Sequence, residues 1–200
     1  MDGLRVKLLM ALGAEAALYE ASFLGLEAVI KVRRRKDYRA EALDRVLRVR
    51  RTSLEAKILR DLRTAGLHVP ALFYVDTEEG VLVMERVEGK LLRDLIAEGA
   101  EVCRALREVG REVGVMHNKG IIHGDLTTSN MVLSGSTPYI IDFGLAKYSN
   151  RLEDVATDIH LFIRSVEATH FGVKEELIKC FMEGYSQVIQ YPSEEVMSKV

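Results

Sequence analysis

Two hundred residues, 48% of them hydrophobic, are enough to bury one large core or two small ones, which excludes disorder for the chain as a whole. The formal net charge of −2 names no class of partner, and no unbroken apolar run reaches the roughly eighteen residues of a membrane span. Cys103 and Cys180 fit no metal or redox spacing, so two free thiols in a reducing cytoplasm and no structural zinc are expected.

In chain order, KLLMALGAEAAL at residues 7 to 18 has the look of a signal peptide, but Glu15 interrupts its apolar run, and the chain reads as soluble and cytoplasmic. LYEASFL and EAVIKV predict paired strands around Gly25. Residues 39 to about 65 predict a helix with Leu54, Ile58 and Leu62 at i, i+4, i+8 and Glu55 at the edge of that stripe. Gly66 closes it and Pro70 forbids its resumption. ALFYVDTEEGVLVMERVEG then alternates as two strands about a turn at Glu79-Gly80.

After Gly89 the pattern becomes helical. Val102, Leu106, Val109, Val113 and Met116 share one face of a helix over 101 to 118, which Gly120 stops. The loop HGDLTTSN follows, then a hairpin of MVL and YIID about SGSTP, then helices at about 152 to 168 and 174 to 189. YPSEEVMSKV starts like another helix with Ser193 as its cap. The fold class is α+β, with a β-rich lobe over 1–88, a mainly helical lobe over 89–200, and a ligand expected in the cleft they form.

Charge is distributed unevenly. Between Lys31 and Arg51 ten basic residues face three acidic ones, and such a stretch reads either as a footprint for phosphate-rich partners or as a solvated helix face.

Five separated residues ask for one explanation. Asp125 and Asn130 lie in the loop, Asp142 opens DFG at a strand end, Lys31 ends AVIK, and Glu55 follows on a helix. A carboxylate and an amide oxygen are hard ligands that suit Mg2+, which favours one or two protein carboxylates plus substrate phosphates. A lysine paired with a helical glutamate holds nucleotide phosphates. Their order reproduces the protein-kinase series of strand lysine, helical glutamate, H-R-D-L-x-x-x-N and D-F-G.

HGDLTTSN with its Thr127-Thr128-Ser129 insert, GAEAALYEA at 13 to 21, RTSLEAKIL at 51 to 59 and YIIDFGLAKYS at 139 to 149 carry a closer resemblance, over nearly the whole chain. The sequence resembles the small atypical kinases of the KEOPS complex, the p53-related (piD261-type) family, in its archaeal single-domain form. The resemblance implies a protein-kinase-like bilobal fold with a reduced C-terminal lobe, and an atypical serine/threonine kinase or ATPase using ATP and Mg2+. Its implied partners are the threonylcarbamoyl-transferase subunit, other KEOPS subunits and, through the complex, tRNA, in support of threonylcarbamoyladenosine modification; no membrane is involved.

Carried onto this sequence, the resemblance makes Asp125 the catalytic base or nucleophile-orienting carboxylate, Asn130 and Asp142 the magnesium ligands, and Lys31, paired with Glu55, the contact to the α- and β-phosphates. Gly13, Ala14, Glu15 and Ala16 would cover the phosphates, and Met84, Glu85 and Val87 would line the adenine pocket. His123 and Asp158 would brace the catalytic loop, and Arg33, Arg34, Arg35 and Lys36 would meet tRNA or an acidic partner.

Departures from ordinary kinases are equally legible. GAEAAL keeps one glycine where G-x-G-x-x-G is expected, Gly124 replaces the arginine of H-R-D, and only fifteen residues separate Asp142 from Asp158 with no A-P-E. Little room remains for a peptide-binding segment. An aminoglycoside-type small-molecule kinase, which shares H-G-D and the asparagine, a RIO-type kinase, and a nucleotide-binding scaffold are the alternatives. The basic C-terminal tail that the resemblance implies is expected to be either absent or cut off in this sequence.

Overall fold

The computed structural model describes residues 3–13 and 15–191; Ala14 and Ser193, both named above, lie outside the described residues. The chain packs as two units. One runs through Thr64 and resumes over Pro70–Arg86; the other comprises Ala65–Val69 and the chain from Val87 onward.

The first unit is an antiparallel sheet with one long helix. β1 (Leu4–Leu12), β2 (Ala16–Phe23), β3 (Leu26–Arg33), β4 (Leu72–Asp76) and β5 (Val81–Glu85) lie in the order β1-β2-β3-β5-β4, and α1 (Glu41–Thr64) follows β3. β2 and β3 join through Leu24 and Gly25, both at positive φ (51° and 85°), the geometry a two-residue hairpin turn requires. The core of this unit sets Ala21, Ala28, Ile30 and Val83 against Tyr19, Phe23 and Phe73.

The apolar opening segment is the edge strand β1. Val6, Leu8, Leu9, Met10 and Leu12 are all exposed, and the register with β2 shifts twice, between Val6 and Leu8 and between Leu9 and Ala11. A strand exposed on both faces and broken by irregularities carries no period-2 alternation, which is why it does not read as a strand. On α1, Ile58 and Leu62 are buried as their spacing requires, while Glu55, expected at the rim, is only 2% exposed.

The second unit is mainly helical: α2 (Leu92–Ala97), α3 (Cys103–Asn118), α4 (Leu152–Thr169) and α5 (Lys174–Tyr185). Two small sheets accompany them. β6 (Lys90–Leu91) pairs with β8 (Met131–Ser134), which pairs with β9 (Thr137–Ile140), and β7 (Ile121–Ile122) pairs with β10 (Lys147–Tyr148), all antiparallel. Leu106, Val109, Val113 and Met116 of α3 are fully buried, and the rings of Phe162 and Phe181 stack at 4.1 Å between α4 and α5. Among the described residues no helix is long and apolar enough to cross a membrane.

The reading of the cysteines as free thiols is corrected. Cys103 and Cys180 form a disulfide with Cα atoms 5.2 Å apart. The cause is tertiary: α3 and α5 pack backbone to backbone at two glycines. A Cβ on Gly110 would collide with the Phe181 carbonyl, and one on Gly184 with the Arg107 carbonyl. Contact that close brings together cysteines 77 residues apart in sequence.

Gly184→Ala therefore lowers stability by about 3 kcal/mol or more, because the obstruction is backbone that must move. Gly172→Ala, where a Cβ meets open space, changes it by no more than about 0.5 kcal/mol. Urea unfolding of the two variants measures both.

Candidate active site

The HGDLTTSN loop of the second unit is organised by a buried carboxylate. Asp158 on α4, 0% exposed, accepts the backbone N–H of His123 (2.7 Å) and of Gly124 (2.8 Å), and lies 3.2 Å from His117 Nε2. Burial by itself would raise its pKa. The His117 hydrogen bond and charge and the His123 amide outweigh burial and hold the carboxyl below its ordinary value. His117 Nδ1 in turn meets the Tyr185 hydroxyl at 2.9 Å, whose phenol burial pushes above its ordinary range.

His123 links two functional segments. Its Nδ1 accepts the N–H of Asp125 (3.2 Å), so Nε2 carries the proton and donates to the carbonyl of Ile141 (3.1 Å), the residue before Asp142. Its ring also packs on Phe143, centroids 4.8 Å apart. Burial lowers its pKa, so the ring is neutral and serves as a brace.

Gly124 sits at φ 81°, and a Cβ there would lie 2.6 Å from the Leu145 carbonyl. Close approach of the chain after DFG thus excludes the arginine of H-R-D.

Asp125 is exposed and held by its neighbours. Asn130 Nδ2 donates to the Asp125 carbonyl and to its Oδ2, both at 2.9 Å. Asn130 ends a 3-10 turn over Thr128–Asn130, within which buried Thr128 bonds His170 Nε2 through its hydroxyl (3.0 Å). Across the β8–β9 hairpin, Ile141 N–H donates to the Asn130 carbonyl (2.9 Å), so residues twelve apart in sequence, Asn130 and Asp142, flank the same strand ends.

Asp142 takes a left-handed φ of 61°, a conformation costing about 1–2 kcal/mol for a non-glycine residue. Its Oδ1 accepts the Gly144 N–H at 3.2 Å, a local turn that offsets part of that cost. Asn130 directs its amide nitrogen at Asp125, and those two bonds leave its oxygen out; an amide oxygen and a carboxylate such as that of Asp142 are hard donors of the kind that fits Mg2+. Among the described residues no group of three or more His, Cys, Asp or Glu suits a metal.

In the first unit, Lys31 and Arg33 project from the same face of β3 toward Glu55 on α1. Lys31 Nζ lies 2.7 Å from Glu55 Oε1 and Arg33 Nη2 lies 2.5 Å from Oε2, with all three side chains buried. Gly13 N–H donates to Ala16 O (2.9 Å), turning the chain from β1 into β2. Glu15 is exposed and pairs with Arg51 (2.6 Å) and Lys36 (3.7 Å). Met84 packs with Ala56 and Leu82, and Glu85 accepts the Ala71 N–H (3.0 Å). Val87 is half-buried in the second unit.

The assignment of Arg33 to RNA or partner contact is corrected, since a side chain buried against Glu55 offers nothing to a docking macromolecule. Part of the basic excess is also met by acids from elsewhere, Glu15 for Lys36 and Arg51 and Glu78 for Arg45, while Asp44 within the stretch pairs with Arg39 and Arg48. Arg35 pairs with Glu41 at 3.3 Å, and Arg34 remains exposed. Sequence reading missed His117, Tyr185 and His170; only a histidine flanking the apolar face of α3 signalled the first.

Residues 19–162 match the family model described as RIO domain. The KEOPS complex subunit Bud32 of Pyrococcus abyssi is 41% identical over 187 residues, covering 88% of this chain and 84% of that protein. The probable serine/threonine-protein kinase BUD32 homolog of Archaeoglobus fulgidus is 42% identical over 171 residues, covering 86% and 83%. The probable bifunctional tRNA threonylcarbamoyladenosine biosynthesis protein of Methanothermobacter thermautotrophicus is 40% identical over 181 residues, 90% of this chain, and the chain spans 33% of that protein's length. The chain therefore belongs to the RIO-domain family of atypical kinases, in its Bud32-type branch.

The brace has a pH signature. His123 has a folded pKa below 6.5, so the unfolded chain takes up the proton first as pH falls. Its contribution is complete above about pH 6.5 and is lost on acidification toward the folded pKa, at up to about 1.4 kcal/mol per pH unit. Unfolding of wild type and His123→Asn between pH 7.5 and 5.5 reads this, the wild type showing the steeper loss. His170, lowered by burial, and Glu112, raised by burial, are common to both proteins and cancel. Equal slopes contradict the assignment.

Proposed function

We propose that the chain binds ATP with magnesium and either hydrolyses it or transfers its γ-phosphoryl group, in support of tRNA threonylcarbamoyladenosine formation. The observation that carries this reading is the loop of the second unit, where Asn130 holds the Asp125 carboxylate with its nitrogen while its backbone is tied to the residue before Asp142. In this reading Asn130 and Asp142 hold the metal, which when bound neutralises charge on the transferring phosphoryl group. Asp125 orients the attacking oxygen and accepts its proton, and Lys31 takes the α- and β-phosphates. Gly13, Glu15 and Ala16 lie over the phosphates, and Met84, Glu85 and Val87 meet the base.

The attacking oxygen is that of water or of a serine hydroxyl, the second giving autophosphorylation. Both reactions use the same positioning and charge stabilisation. The names of the relatives support a place beside the threonylcarbamoyl-transferase and other KEOPS subunits, with tRNA reached through the assembly. The offset basic stretch does not support direct tRNA contact by this chain through Arg33.

Single-turnover reactions with γ-labelled ATP test the proposal, with release of inorganic phosphate and label on protein counted separately. Wild type turns over, Asp125→Ala falls by about 10²- to 10⁴-fold, and added transferase with tRNA raises the wild-type rate. Equal rates for wild type and Asp125→Ala refute it.

A further inference from the structure

Glu55 is not simply the partner of Lys31. One carboxylate, 2% exposed, is shared by two buried cations, each taking one oxygen: Lys31 Nζ on Oε1 and Arg33 Nη2 on Oε2. Packing alone would not select arginine here. Its Nε is buried and finds no hydrogen-bond acceptor, which is unfavourable unless the charge itself is required. A guanidinium is also less readily deprotonated or displaced than an ammonium.

In a clamp built from lysine and glutamate alone, the lysine is asked to hold two anions. Turning Lys31 toward a phosphate weakens the sole pairing of a buried carboxylate, a change that burial makes costly. With Arg33 in place Glu55 stays paired throughout. We propose that Arg33 is a positioning residue for the reaction: it anchors Glu55, and with it α1, so that Lys31 can engage nucleotide phosphates without leaving a buried carboxylate uncompensated. The inference rests on the phosphoryl-transfer reading above and adds a role for a residue that touches no substrate.

The test is a double-mutant cycle on the full chain, using Arg33→Met, Glu55→Gln and the pair, with Kd for a fluorescent ATP analogue plus Mg2+, and KM and kcat for ATP, normalised to folded protein. Arg33→Met raises Kd and KM by about tenfold, the scale of one hydrogen bond to a charged group, while kcat stays within about threefold. Arg33→Lys restores part of the affinity. In the Glu55→Gln background, where no carboxylate competes for Lys31, Arg33→Met adds nothing. Should Arg33→Met fail to fold, Arg33→Lys carries the same cycle with a smaller shift.

An unchanged KM, or the same penalty with and without the Glu55 carboxylate, overturns the inference by making Arg33 a packing residue. Turnover that depends on Asp125 but ignores Arg33 overturns this inference alone. Absence of nucleotide binding and turnover in wild type overturns it together with the phosphoryl-transfer reading.

Discussion

The second unit depends on one buried ion. The Asp158 carboxylate is shut off from bulk solvent, so its oxygens must find donors, and they find two consecutive backbone amides of the HGDLTTSN loop together with His117. Those bonds fix the backbone of His123 and Gly124. The neutral His123 ring passes the constraint in two directions, to the Asp125 amide and to the Ile141 carbonyl. A helix, that loop and the strand that delivers Asp142 are thereby tied to one point.

The first unit repeats the device with the signs arranged differently. Glu55 is as buried as Asp158, and its donors are the side-chain cations of β3. Each unit thus orders neighbouring groups around a buried carboxylate, and its removal would cost the donors that now meet it an acceptor. At Gly124, where ordinary kinases carry the arginine of H-R-D, a side chain is sterically excluded by the Leu145 carbonyl.

Legibility followed the range of the interactions. Helices α1, α3, α4 and α5 and the three hairpins announce themselves because a half-buried helix or strand must repeat its apolar residues at its own period, and Leu106, Val109, Val113 and Met116 are buried as that rule demands. The motif residues stand out in the sequence by their order and fixed spacing. β1 was not, since exposure on both faces removes the period. Nor were the contacts made only by the folded chain: the Cys103–Cys180 bond created by glycine-mediated packing of α3 on α5, Glu15 and Glu78 offsetting arginines distant in sequence, and Arg33, whose place in a run of surface cations hid its burial on Glu55. Counting charge along the chain measures neighbours in sequence, and electrostatics acts between neighbours in space.

The central claim is that a hard cation bridges this chain and a nucleotide through Asn130 and Asp142. Isothermal titration calorimetry of ATP into wild type and Asp142→Asn, with and without Mg2+, tests it most directly. The account predicts uptake by wild type that needs the metal and is lost in Asp142→Asn; uptake of equal strength without magnesium, or with the carboxylate removed, would contradict it.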